Sequence, residues 1–266
     1  MQKRVKPTDT LSRQSNDELW QFRPWRSKGY LSHFWDQLNL IDYWRRLHMN
    51  LRFRWYCLFS SIKTLENPDK GVATETIRHN LKGLRDTSVV RSNALVRPLS
   101  VIEELSPDSQ LLCIGPRTEG ELYNLAAHGF KLSQIEAVDL ISYSPKIQLG
   151  DMHALPFTDD KFDAVICGWT IAYSDNKVKA AREMMRVVRN GGIIAIGVEY
   201  HPLSTEEIEN MTGYLPGSFE RLNTLEDVHE LFENNIDYIF FSQEPRGRQR
   251  DKIGSIISIF SIKKHM

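Results

Sequence analysis

Asp139 and an acidic, glycine-containing turn are the residues of this 266-residue chain whose types and spacing best fit ligand chemistry. The turn, Gly115-Pro-Arg-Thr-Glu-Gly, follows the apolar run Leu111–Ile114, and Asp139 ends the next apolar run, 135–138. Parallel strands place their carboxyl ends at one ligand-binding edge of a sheet. Glu119 and Glu121 would repel a pyrophosphate there. The sequence therefore predicts a nucleoside ligand with a cationic, amino-acid-like arm, whose ribose Asp139 would bind and whose carboxylate Arg117 would meet.

The turn departs from both common phosphate-binding patterns. A phosphate loop continues with Lys and Ser or Thr, but Glu121 stands at the lysine position. The dinucleotide pattern needs a second glycine where Arg117 stands. Thr118 and Glu121 have the spacing of a capping box, which predicts a helix that begins here and ends at Gly129.

Several stretches in order resemble a class I S-adenosylmethionine (SAM)-dependent methyltransferase of the kind that mostly modifies small molecules. Residues 111–120 are similar to its glycine turn, and 135–139 to its second strand with the ribose-binding acid. Residues 150–157, Gly-Asp-Met-His-Ala-Leu-Pro-Phe, are similar to its adenine-binding segment. Residues 162–165 and 182–192 resemble its fourth strand and the helix and turn before the fifth. Cys113, Arg117, Glu119 and Asn190 depart from the family's usual residues.

The resemblance implies SAM as the cofactor and a small-molecule or saccharide acceptor. No metal is expected, because the three cysteines are unclustered. By this resemblance, Asp151 receives the adenine amino group, and the Met152 N–H reaches a ring nitrogen. Trp169 either stacks beside a ligand or packs in the core. The expected cofactor-binding residues are Gly115, Pro116, Arg117, Glu119, Asp139, Leu140, Asp151, Met152, Gly168 and Trp169.

The predicted fold is α/β: a doubly wound, Rossmann-like sheet with an N-terminal helical extension. Apolar runs predict strands at 111–114, 135–138, 147–149, 164–167, 193–198, 238–242 and 255–262. The resemblance implies seven strands, of which the last is antiparallel. Residues 1–72 are expected to form a basic, aromatic-rich extension, with a linker at 67–71, and 73–266 the methyltransferase domain. Residues 202–223 read as an inserted loop.

Apolar residues recur at helical spacing through 30–65, and residues 1–63 carry twelve basic against five acidic side chains. We expect helices there that cover the catalytic domain or form a homodimer; a peripheral membrane contact is the alternative. No nucleic-acid partner is expected, because the whole chain has no net charge. Three unclustered cysteines, with no signal peptide and no membrane span predicted, favour a cytoplasmic protein.

His201 and Glu199 follow the predicted fifth strand and are the candidate catalytic bases, His201 first. A loop histidine without chemistry is the other interpretation of His201. Two alternatives to an active methyltransferase stay open: a catalytically silent regulatory or scaffold protein with this fold, and a nicotinamide-dependent oxidoreductase. The altered glycine turn keeps the first open, and its acidic residues oppose the second.

Overall fold

The computed structural model of the chain describes residues 38–65, 72–84, 90–212 and 221–264. The predicted linker at 67–71 and the N-terminal part of the predicted extension, up to residue 37, lie outside these residues. The strands are β1 Lys63–Thr64, β2 Leu111–Ile114, β3 Ile135–Asp139, β4 Ile141–Ser142, β5 Gln148–Leu149, β6 Phe162–Gly168, β7 Val188–Tyr200, β8 Ile236–Gln243 and β9 Gly254–Ile262. The helices are α1 Asp42–Phe59, α2 Val72–Gly83, α3 Val90–Leu99, α4 Gly120–Ala127, α5 Lys177–Val187, α6 Thr205–Thr212 and α7 Leu225–Glu230.

A seven-stranded sheet organises the molecule, in the order β5-β3-β2-β6-β7-β9-β8. The first five strands of that order pair in parallel, and β9 pairs antiparallel with both β7 and β8. This confirms the predicted seven-stranded fold with an antiparallel last strand. Its central strands are buried because apolar runs such as β2 have both faces covered.

Helices cover both faces of the sheet, as a doubly wound fold requires. One core cluster joins Leu95 and Leu99 of α3 and Leu122 of α4 to the sheet. The opposite cluster contains Met184 of α5 and Val228 of α7. Burial of these apolar side chains is the main favourable term in folding, and it fixes the sheet edge that carries the site.

Two local predictions were wrong. Thr118 and Glu121 do not form a capping box: α4 begins at Gly120, Glu119 takes the N-cap position without a side-chain cap, and the Thr118 hydroxyl accepts from the Gly120 N–H over 3.3 Å. Glu121 points inward instead, as described below. The expected loop over 202–223 contains α6, whose first turn carries Glu206 and Glu207, an arrangement that complements the helix dipole.

Helix α1 packs one face on the catalytic domain and exposes the other. Met49 is buried, and Phe53 packs edge-on against Tyr143 at 5.2 Å between ring centroids. Trp55 and Leu58 remain 61% and 77% exposed. After α1, β1 pairs antiparallel with β4, which tethers the chain beside Asp139. Within the described residues, no helix is both long and apolar enough to cross a bilayer.

Candidate active site

The glycine turn after β2 is tightly constrained. Gly115 lies in the left-handed region at φ +66°, and an added Cβ would meet the side chain of Thr170. Arg117 also has a positive φ, +55°, and its N–H donates to Asp139 Oδ2 over 2.8 Å. The turn therefore folds back onto the carboxyl end of β3.

Asp139 is 4% exposed and lies in the wall of a cleft at the carboxyl edge of the sheet. Its Oδ1 accepts the Ile141 N–H at 3.3 Å. Burial raises the pKa of Asp139 to about 6, and hydrogen bonds from backbone N–H groups pull the pKa down in opposition. Because a carboxylate offers about four lone-pair positions, Asp139 can hold the turn and still accept hydrogen bonds from a ligand.

Glu119 lies outside the cleft, in a buried cluster with α1. Its carboxylate is fully buried and accepts Arg52 Nε at 2.5 Å and Arg52 Nη2 at 2.9 Å. Ser144 Oγ donates to the same carboxylate, and the Glu119 N–H donates to the Tyr143 hydroxyl at 2.9 Å. The glycine turn is therefore held by helix α1, whose Arg52 precedes Glu119 by 67 residues.

Asp151 lines the same cleft, next to Gly150 and Met152. Its Oδ1 accepts the His153 N–H at 2.9 Å and contacts His153 Nδ1 at 2.6 Å. The side-chain hydrogen bond from His153 lowers the pKa of Asp151. An ionised carboxylate whose second oxygen can still accept is suited to a ligand amino group.

The cleft lies at the carboxyl edge of the sheet and has an empty volume of about 590 Å³, including its open mouth. Of the predicted cofactor residues, the cleft brings together Gly115, Asp139, Leu140, Asp151 and Met152. Pro116, Arg117, Glu119, Gly168 and Trp169 lie outside its lining.

Trp169 and Arg117 have other surroundings. Trp169 is 8% exposed and belongs to the hydrophobic core, and its N–H donates to the Gly197 carbonyl over 2.6 Å. The Arg117 side chain lies against Gly83, where an added Cβ would stand 2.5 Å from Nη1. Arg117 thus links the glycine turn to α2.

His201 and Glu199 leave β7 as predicted but do not line the cleft. His201 Nδ1 accepts the Leu203 N–H at 3.2 Å, and Glu199 pairs with Arg91 at 2.5 Å. In a neutral imidazole with Nδ1 accepting, the proton resides on Nε2. The ring is therefore arranged to donate from its free nitrogen.

Helix α2 contributes cleft residues that the sequence analysis missed. Thr76 and Asn80 line the cleft one turn apart, and Thr76 is 5% exposed with no hydrogen-bond partner for Oγ1 among the described residues. Tyr173 and His153 line the cleft as well, and His153 Nε2 lies 2.6 Å from Ser174 Oγ. The i, i+4 spacing of Thr76 and Asn80 places them on one face of a helix, but it does not indicate that this face lies over a cleft.

Comparison with known proteins agrees with this fold. Residues 118–196 match the family model described as a methyltransferase domain. The demethylmenaquinone methyltransferase of Roseiflexus castenholzii (strain DSM 13941 / HLO8) is 48% identical over 46 residues, 17% of this chain and 19% of that protein. The uncharacterized methyltransferase YcgJ of Bacillus subtilis (strain 168) is 25% identical over 126 residues, 46% of this chain and 47% of that protein. The chain thus spans less than half the length of these two relatives.

Among solved structures, the CurJ carbon methyltransferase superposes with a TM-score of 0.51 at 12% identity, over 72% of this chain and 59% of that one. At this identity the likeness concerns the fold. The family match and the seven-stranded sheet are consistent with a class I methyltransferase domain. Residues 118–196 are similar to that domain family, and SAM is the cofactor which this similarity implies.

Proposed function

We propose that the protein transfers a methyl group from SAM to a small or sugar-like acceptor. The observation that carries the proposal is the pair Asp139 and Asp151, which come from neighbouring strands and line one cleft. Two carboxylates that line one cleft can accept hydrogen bonds from the two polar ends of an adenosine, its ribose hydroxyls and its amino group.

The residues present fit the cofactor. Asp139 would hold the ribose, Asp151 the adenine amino group and the Met152 N–H a ring nitrogen. Gly115 has no side chain, so the cofactor could approach its backbone. A Cβ at this position would also collide with the side chain of Thr170. Pro116, Gly168 and Trp169 would support the site from beneath. When bound, SAM supplies an activated methyl group that is displaced in line by the acceptor.

This chain's contribution to the reaction is then alignment and exclusion of water, which can account for a large part of a methyl-transfer rate. An acceptor hydroxyl would also need a base. His201 and Glu199 stay our candidates, with the acceptor reaching them beyond the cleft mouth. The hydrogen bond from Leu203 to His201 Nδ1 would have to open for His201 to take a proton.

The two alternatives make different binding predictions. A nicotinamide oxidoreductase would bring a pyrophosphate to the glycine turn, beside the carboxyl groups of Glu121 and Asp139. These two groups would repel its negative charge. A silent scaffold would bind neither SAM nor NAD. The buried carboxyl of Asp139 favours a functional site over a silent scaffold, since perturbed acids in clefts are typical of functional sites.

Titration calorimetry of the purified full chain with SAM, S-adenosylhomocysteine and NAD tests the proposal. We expect binding of the first two compounds only. Asp139→Asn keeps the shape but removes the charge and one of the two accepting oxygens that hold the Arg117 and Ile141 N–H groups. Asp139→Ala removes the whole carboxyl, so affinity should fall in that order. Asp237→Ala, on exposed β8, is the matched control. NAD binding, or SAM affinity unchanged in Asp139→Ala, would refute the assignment.

A further inference from the structure

The His153 side chain joins two segments of the cleft wall. His153 lines the cleft, as does Asp151 two positions earlier, and the His153 side chain is 17% exposed. Its Nδ1 lies 2.6 Å from Asp151 Oδ1, and its Nε2 lies 2.6 Å from Ser174 Oγ. Ser174 is 1% exposed and belongs to the segment between β6 and α5. The imidazole ring therefore ties the loop after β5 to the turn that precedes α5.

The partners of the two ring nitrogens assign the proton positions of His153. A carboxylate can only accept, so Nδ1 carries a proton and donates it to Asp151. In the neutral ring Nε2 accepts the Ser174 hydroxyl proton, and Ser174 Oγ in turn accepts the Asn176 N–H at 3.0 Å. In a protonated ring Nε2 would donate instead, to Ser174 or to Asp175 Oδ1 at 3.4 Å. The bond to Asp151 is therefore kept in both protonation states.

This arrangement fixes one oxygen of Asp151 and leaves the other open. Oδ1 accepts the His153 N–H at 2.9 Å, which forms an Asx turn, and also accepts the ring Nδ1–H. Oδ2 has no hydrogen-bond partner among the residues that the structure describes. Without the ring, the His153 N–H alone would restrain an Asp151 side chain that is 32% exposed. The ring therefore determines where Oδ2 lies in the cleft.

We propose that His153 is the positioning residue that makes the cleft select adenine over hypoxanthine. The inference rests on the proposed function, in which Asp151 accepts from the adenine amino group and the Met152 N–H donates to the adjacent ring nitrogen. Hypoxanthine reverses both groups, because it presents a carbonyl oxygen and a ring N–H at these two positions. A carboxylate that is held in place repels the carbonyl oxygen, whereas a carboxylate that can rotate away tolerates it.

Calorimetry on the full chain with S-adenosylhomocysteine and S-inosylhomocysteine tests the proposal, since the two compounds differ only at this edge of the purine. Wild type should prefer the adenosine compound about 10- to 100-fold, as expected when polar groups are left without partners. His153→Phe keeps a flat ring without polar atoms, and in it the preference should fall about tenfold. His153→Asn can place an N–H donor near the position of Nδ1, so its preference should return to within about threefold of wild type.

Two further variants complete the series. Ser174→Ala removes only the second anchor of the ring, so its preference should lie between those of wild type and His153→Phe. His229→Phe is the matched control, because its Nε2 also lies near a serine oxygen, Ser258 Oγ at 2.8 Å, and the residue is on α7, outside the cleft lining. We expect this control to keep the wild-type preference. Thermal unfolding checks that each variant is folded at the temperature of the titration.

The outcomes separate this inference from the proposed function. If wild type binds SAM and folded His153→Phe keeps the wild-type preference, the inference is refuted while the proposed function stands. Equal losses of affinity for both compounds would also refute it, because they indicate a structural role without discrimination. If His153→Phe does not fold, Ser174→Ala decides, and a wild-type preference there refutes the inference. If wild type binds neither SAM nor S-adenosylhomocysteine, the proposed function fails and this inference fails with it.

Discussion

Replacing Arg52 by methionine should destabilise the protein and loosen the glycine turn. Arg52 makes two hydrogen bonds, at 2.5 and 2.9 Å, to the fully buried carboxylate of Glu119. Methionine keeps most of the apolar stem, so the change isolates the guanidinium. Removing one partner of a buried ion pair typically costs about 3–5 kcal/mol, because the other charge stays uncompensated.

The lower end of that range applies here. The Arg52 side chain is 26% exposed, and Ser144 still donates to Glu119 after the substitution. We therefore expect a loss of about 3 kcal/mol in the free energy of unfolding. For a domain of this size, about 2–4 °C per kcal/mol converts to a fall in melting temperature of roughly 6–12 °C.

Urea unfolding monitored by circular dichroism measures the effect. Arg54→Met on the exposed side of the same helix is the matched control, with an expected change below about 0.5 kcal/mol. Adding Glu119→Gln to Arg52→Met should restore part of the loss, because a neutral amide no longer leaves a buried charge. If Arg52→Met stays within about 0.5 kcal/mol of wild type, the ion pair does not brace the turn.

Two further outcomes follow from the structure. Relative to Glu121→Gln, the free energy of unfolding of the wild type should fall by up to about 3 kcal/mol between pH 4.5 and 7. The reason is that burial raises the pKa of Glu121 to about 7, so the folded state keeps a proton on Glu121 that the unfolded chain has already released. Urea titrations at several pH values measure this change, and a rise would contradict it. We also expect a second copy of the chain to cover the exposed face of α1, where Leu51 and Trp55 are 59% and 61% exposed. Light scattering should then show a dimer that Leu51→Glu with Trp55→Glu converts to a monomer; a wild-type monomer that sediments with anionic vesicles would favour membrane contact instead.

The sequence predicted the sheet and the position of its ligand edge because those signals are local. The apolar run Leu111–Ile114, the turn at Gly115 and the aspartate that ends β3 each follow from adjacent residues. Chain order and the family resemblance then placed these elements in one sheet. Both the strand count and the antiparallel last strand are confirmed.

Side-chain partners were harder to predict, because they depend on distant parts of the chain. Glu119 and Glu121 both seemed to belong to one acidic turn in sequence, yet their carboxylates diverge. Glu119 meets Arg52, and Glu121 meets Cys113. The spacing of Thr118 and Glu121 permits a capping box, but the buried position beside Cys113 is also within reach of a glutamate, and spacing alone does not choose between them. Likewise, nothing local indicates that α2 lies over the cleft with Thr76 and Asn80.

The place of β9 between β7 and β8 bears on how the protein is made. During synthesis β8 emerges from the ribosome before β9, yet its only neighbour in the described sheet is β9. Until β9 has been made, the apolar edge of β7 lacks the partner that it has in the described sheet. Such non-local pairing is slow and leaves strand edges available to other chains. We therefore expect a chain that lacks Gly254–Ile262 to expose the edge of β7 and to aggregate.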